Sequence, residues 1–150
     1  MIQVKCEVKG VYVAMNDSAT VPAVVLIDGS GRHIPIFIGL WEAISISSAQ
    51  KEEVPPRPFT HDLFLDLMEK YAILVKSLSI DTVEDGVYYA HLVLSAHNHE
   101  DFLDCRPSDG IAVALRAKAP IFVDEELFAA AGEGSNISEM VDLSTFLREA

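Results

Sequence analysis

Two Asp-Gly pairs, Asp28-Gly29 and Asp85-Gly86, each stand between two runs of strand-type residues. The pair Asp85-Gly86 suits the positive φ angles of the tight turn whose twist matches a pair of adjacent antiparallel strands, and Asp28-Gly29 opens a longer turn cluster. The chain is therefore expected to build hairpins, and a sheet paired mostly antiparallel. The first turn, Asp28-Gly29-Ser30-Gly31, follows the apolar run Pro22-Ala23-Val24-Val25-Leu26-Ile27 and precedes a returning strand over 32–38. The second joins strands over 73–83 and 87–96. Residues 2–15 add two alternating stretches, Val4, Cys6, Val8 and Val11, Val13, with Gly10 between them as a bulge or bend. Shorter strands are expected over 101–105 and 119–123.

Helical patterns separate these strands. Residues 40–53 read as a helix whose small side chains, Ala43, Ser45, Ser47, Ser48 and Ala49, suit close packing. Val54-Pro55-Pro56-Arg57-Pro58 has to be an extended loop, because proline locks φ and restricts the residue before it. Thr60 is placed to cap a helix over 60–72, with Leu63, Phe64, Leu67, Met68 and Tyr71 at core-facing spacing. Pro107 suits the first position of a helix over 108–117, and 124–131 reads as a short helix with acids in its first turn. With 150 residues, half of them hydrophobic, the expectation is α+β: a single domain with a mostly antiparallel sheet and three to four packed helices. That domain is expected over 1–132. Residues 133–150 are expected as a linker and C-terminal helical tail, with Asn136-x-x-Glu139 as a capping pattern.

Charge restricts function more than fold. There are 23 acidic residues against 11 lysines and arginines, a formal net charge of -12. Such a chain repels polyanions at long range, whereas nucleic-acid binders held by charge display a basic patch. Contact with RNA or DNA must therefore rest on a local cluster of bases or on metal ions. Every apolar run falls short of the ~20 residues that span a bilayer, and the first residues lack a secretory apolar stretch. Cys6 and Cys105 are far apart and form no C-x-x-C. A disulfide framework or zinc site is not expected, and a reducing cytoplasm is the expected location.

Two segments share one design. Arg57-Pro58-Phe59-Thr60-His61-Asp62 leads into one helix, and Arg106-Pro107-Ser108-Asp109 leads into another. Each brings an arginine, a hydroxyl and an aspartate to a helix N-terminus, where free N–H groups attract anions. Arg57 and Arg106 add planar forks suited to phosphate or carboxylate, with Thr60 and Ser108 beside them. His61 could move a proton, since imidazole changes charge near neutral pH. Glu42, Asp62 and Asp109 could hold magnesium or manganese through carboxylate oxygens. The alternative for each hydroxyl and aspartate is ordinary helix capping, and for the arginines pairing with those acids. A shared site requires the two helix starts to face each other. Among the other histidines, His91 reads as packed, His97 and His99 as a polar turn, and His33 as a strand residue. Trp41 reads as core. There is no P-loop, G-x-G-x-x-G, G-x-S-x-G or H-E-x-x-H pattern.

The same residues carry a resemblance. Ile34-Pro35-Ile36-Phe37-Ile38-Gly39 with Trp41-Glu42-Ala43, then Arg57-Pro58-Phe59-Thr60-His61-Asp62-Leu63, then Asp104-Cys105-Arg106-Pro107-Ser108-Asp109-Gly110-Ile111-Ala112-Val113-Ala114-Leu115-Arg116, and Ala119-Pro120-Ile121-Phe122-Val123 resemble the bifunctional nuclease domain family. The likeness extends to about Gly132. It implies an α+β fold, self-association into a homo-oligomer, and nuclease activity on RNA and single- or double-stranded DNA. On that reading Arg57 and Arg106 hold phosphate, His61 transfers a proton, and Glu42, Asp62 and Asp109 bind a divalent ion or orient water. The competing reading is a non-catalytic module that binds a small anionic ligand or a protein partner in the same pocket.

Overall fold

The strand runs pair into one eight-stranded sheet. A computed structural model describes residues 1–15, 19–130 and 139–149 of the chain. In chain order the elements are β1 (Gln3–Met15), β2 (Thr20–Asp28), β3 (His33–Phe37), α1 (Leu40–Gln50), α2 (Thr60–Lys70), β4 (Leu74–Glu84) and β5 (Val87–Ala96). Then follow β6 (His99–Cys105), α3 (Pro107–Ala117), β7 (Ile121–Asp124), α4 (Glu126–Ala130), β8 (Val141–Asp142) and α5 (Leu143–Glu149). The strand order is β3-β2-β1-β7-β4-β5-β6, with β8 added on β1. Every pairing is antiparallel except that of β4 with β7. The α+β expectation, with a mostly antiparallel sheet, is what the chain forms.

Turn chemistry sets the registers. Asp85 and Gly86 take φ of 52° and 78° and close β4 onto β5, as their sequence requires. His97 and Asn98, at φ 52° and 60°, make an equivalent turn into β6. In β1 the register with β2 shifts between Val8 and Gly10, the expected bulge.

The helices α1 and α3 pack on each other, α2 packs on α3, and α3 lies over β4 and β5 while α1 lies over β1 and β2. Ile46 of α1, Ile111 of α3 and Leu78 of β4 are fully buried in the shared core, each stabilising by roughly 1.5–3 kcal/mol. Gly110 lets α3 sit this close: a Cβ there would lie 2.5 Å from Leu78 Cδ1.

Four expectations are corrected. The helix α1 ends at Gln50 because Glu52 turns left-handed (φ 56°) and closes on the Ala49 carbonyl. Thr60 is the first helical residue rather than the cap; the Asp62 carboxylate accepts the Phe59 N–H at 3.1 Å instead. Only the Phe64 and Met68 side of α2 turns inward, leaving Leu63, Leu67 and Tyr71 exposed. Trp41 is 78% exposed and is not core. The expected linker 133–135 and the Asn136 cap lie outside the described residues. Beyond them Asp142 accepts the Ser144 N–H at 2.9 Å to start α5, and Leu143 is 1% exposed against the core.

Candidate active site

Spacing on α1 puts Trp41, Glu42, Ser45 and Ser48 on one face, three or four residues apart. That face, the start of α2 and the start of α3 enclose a cavity of about 650 Å³. Glu42, Thr60, His61, Arg106 and Asp109 all line it. The two helix starts do face each other: His61 Nε2 lies 2.9 Å from Asp109 Oδ1 across the cavity wall. Arg106 donates from Nε to Asp109 Oδ2 at 2.9 Å and from Nη2 to Glu42 Oε1 at 3.3 Å. Its side chain stays 66% exposed, so the fork keeps donors for an incoming anion.

These contacts set the protonation of the cluster. Burial alone would raise the Asp109 carboxyl, but hydrogen bonds from Arg106 and His61 outweigh it and hold the group below its usual range. Arg106 is held above its ordinary value by the bond to Asp109, with Glu42 adding to the effect. An ionised Asp109 can only accept, so His61 Nε2 carries a hydrogen and donates to it. In the neutral ring Nδ1 is then the acceptor, and Ser45 Oγ lies 2.6 Å from it as the donor. Ser45, His61 and Asp109 form one relay in the cavity wall.

A second cluster holds this one in place. Arg116 donates from Nε to Asp62 Oδ1 at 2.7 Å, from Nη1 to the Ala112 carbonyl at 3.0 Å, and from Nη2 to the Ser45 carbonyl at 3.3 Å. It therefore ties α1, α2 and α3 together next to His61. Burial acts to raise Asp62, yet the Arg116 bond and the Phe59 N–H keep it below the usual carboxylate range.

The expected site set thus divides. Asp62 faces Arg116 rather than the cavity. Arg57 is exposed in the loop before α2, outside the cavity lining. Ser108 is buried and borders a smaller cavity of about 440 Å³, beside Pro107 and Tyr88. The carboxylates proposed for magnesium or manganese do not converge: Glu42 and Asp109 meet on the Arg106 guanidinium, and Asp62 meets Arg116. Among the described residues no three His, Cys, Asp or Glu side chains are grouped to hold a metal ion. The residues as arranged do not fit a resident metal, because Glu42 and Asp109 are paired with the Arg106 guanidinium and Asp62 with Arg116. Of the other histidines, His91 bonds Asp81 at 2.7 Å and meets Phe102 edge-on, and His33 Nε2 lies 3.0 Å from Lys9 Nζ.

Three features escaped the sequence reading. In sequence Ser45 reads only as a small packing residue, although it follows Glu42 by three residues and so shares its face. Arg116 ends the 104–116 motif of the resemblance, seven residues or two helical turns after Asp109, but its bonds to Asp62 and to the Ser45 carbonyl are not legible there. The cavity rim carries exposed aromatic rings, Trp41 and the 62% exposed Phe59. On the far side, Leu143, Ser144 and Leu147 near the C-terminus complete the wall, with Lys51 Nζ bonded to Ser144 Oγ.

Residues 24–136 match the bifunctional nuclease domain. An uncharacterized protein of Mycobacterium tuberculosis (strain H37Rv) is 36% identical over 127 residues, 84% of this chain and 76% of that one. Bifunctional nuclease 1 of Arabidopsis thaliana is 29% identical over 136 residues, 87% of this chain and 41% of that one. Bifunctional nuclease 1 of Oryza sativa subsp. japonica is 30% identical over 118 residues, 75% of this chain and 36% of that one. The match spans less than half of either plant protein.

Proposed function

The chain belongs to the bifunctional nuclease domain family, and from that premise we propose that its cavity hydrolyses a phosphodiester bond in a single-stranded stretch of RNA or DNA. The observation that carries the reading is His61, held between ionised Asp109 and Ser45 within one residue contact of the Arg106 fork. Arg106 would hold the phosphate and offset charge developing on its oxygens. His61 would take and return the proton, with Asp109 fixing the ring tautomer and stabilising the imidazolium. Trp41 and Phe59 would stack bases on the rim. Stacking is worth ~1–3 kcal/mol per base and does not depend on charge. This addresses the net charge of -12: attachment rests on rings and one or two local cations, not on a basic surface. No step is routed through a metal.

The acidic balance favours a second reading, a binding module that holds an anionic ligand in the same cavity without turnover. One experiment separates the two. Labelled single-stranded RNA and DNA are incubated with the protein, in magnesium, manganese or EDTA, beside folded His61→Ala and Arg106→Gln variants. Cleavage that survives EDTA and is lost in both variants is expected. Binding without cleavage under any condition would replace the nuclease reading with the module.

A further inference from the structure

The relay that holds His61 contains a hydroxyl that general acid–base chemistry alone does not need. Ser45 Oγ is 2.6 Å from His61 Nδ1, a short contact for a neutral O–H donor. It projects into the cavity from the middle of α1, on the face that also carries Glu42. Glu42 stands one turn earlier and meets Arg106 Nη2 at 3.3 Å. Arg106 and Ser45 thus line the same cavity, both linked through Asp109: Arg106 directly and Ser45 by way of His61. An activated serine requires a base within hydrogen-bond reach and a third group that orients that base. Here Nδ1 is the base atom and Asp109, bonded to Nε2, is the orienting group. The Ser45 backbone is itself pinned, since its carbonyl accepts from Arg116 Nη2 at 3.3 Å.

We propose that Ser45 is the nucleophile, and that cleavage proceeds through a covalent phosphoserine diester at Ser45. This inference rests on the nuclease reading above and specifies its mechanism. In the first step Ser45 Oγ attacks phosphorus while its proton passes to His61 Nδ1. The bond from phosphorus to the leaving oxygen, on the far side of phosphorus, breaks, and that oxygen takes a proton from solvent to depart as an alcohol, leaving Nδ1 protonated. The remaining strand is then joined to Ser45 through phosphate. In the second step water attacks phosphorus from the side the alcohol left and gives a proton to solvent, while Nδ1 keeps the proton taken from serine. The bond from phosphorus to Oγ breaks, and Ser45 recovers the proton. The sum consumes one water and yields one phosphate monoester and one alcohol. Two displacements at phosphorus retain its configuration, whereas direct attack by water inverts it.

The test uses a deoxydinucleoside phosphorothioate of a single configuration at phosphorus, hydrolysed by the full chain in ¹⁸O-water. The deoxy sugar removes any 2′-hydroxyl that could attack in place of serine. Configuration of the product is read by phosphorus NMR, and wild type is compared with Ser45→Ala of matched circular dichroism. Retention is expected, with a fall of at least about 100-fold in Ser45→Ala, the low end of what a positioned proton-transfer unit supplies. A parallel acid-quenched digest after reaction with bis(p-nitrophenyl) phosphate should carry an aryl phosphate on the peptide containing residue 45. Inversion, or a Ser45→Ala variant at the wild-type rate, overturns the serine and leaves the nuclease reading standing. Absence of turnover on every diester overturns both.

Discussion

Replacing Arg116 by methionine isolates the clamp under the site. The Arg116 side chain is 9% exposed and makes three hydrogen bonds, one of them to the Asp62 carboxylate at 2.7 Å. Methionine retains most of the apolar stem, so the change removes mainly the guanidinium. A hydrogen bond to a charged group is worth about 1.5–3 kcal/mol, and stripping the partner from a fully buried charge costs about 3–5 kcal/mol. Asp62 is 23% exposed and keeps the Phe59 N–H, so water and that donor recover part of the loss. The expected destabilisation is about 2–3 kcal/mol at pH 7, read by urea unfolding, or a Tm lower by about 5–10 °C. The sign with pH follows from the carboxyl. Asp62 sits below its usual value in the folded chain, so its contribution is fully present above the unfolded pKa, about 3.9. It disappears as pH falls through the folded value. The gap between wild type and Arg116→Met should therefore hold constant from neutral pH to about pH 5 and close below about pH 4. A gap below about 0.5 kcal/mol at pH 7, or one that persists unchanged into strong acid, would refute this account of the clamp.

Three further outcomes are expected. Trp41→Ala should weaken binding of a single-stranded oligonucleotide by roughly 5- to 150-fold in fluorescence anisotropy, the loss of one base stack, with stability unchanged; equal affinity would remove Trp41 from the interface. Leu143→Ala should cost about 2–5 kcal/mol by urea unfolding, because this residue near the C-terminus is 1% exposed in the core; a negligible change would mean that the C-terminal helix adds nothing to the fold. Burial pushes the thiols of Cys6 and Cys105 up to about 11, with Asp28 and Asp109 respectively adding to it. Both should react slowly with iodoacetamide at pH 8 and rapidly after unfolding, as mass spectrometry would show.

Local chemistry was legible wherever a short stretch dictates its own geometry. Asp85-Gly86 announces its turn because few other pairs tolerate two positive φ angles, and Pro107 marks a helix start because it has no N–H to lose. Periodicity located α2 but not its inward side: the pattern admits either edge of a broad apolar stripe, and only packing on α3 selects Phe64 and Met68 over Leu63 and Tyr71. Trp41 was misassigned for a related reason, since hydrophobicity argues for burial equally in a core ring and in a ring on a cavity rim. Of the site, His61, Arg106, Asp109 and Glu42 were found through the chemistry of helix starts. Ser45 was not, because its role depends on a histidine 16 residues later and an aspartate 48 residues beyond that. Arg57 was included because its motif mirrors that of Arg106, yet similar motifs do not fix which way a loop residue projects.

Chemical rescue asks whether His61 moves a proton during cleavage. Single-turnover cleavage of a labelled single-stranded oligonucleotide would be measured for wild type and His61→Ala, with and without added imidazole. A loss of about 10²- to 10⁴-fold is expected in His61→Ala, partly restored in proportion to imidazole, with no such rescue of Arg106→Gln. Cleavage by His61→Ala at the wild-type rate would contradict that role.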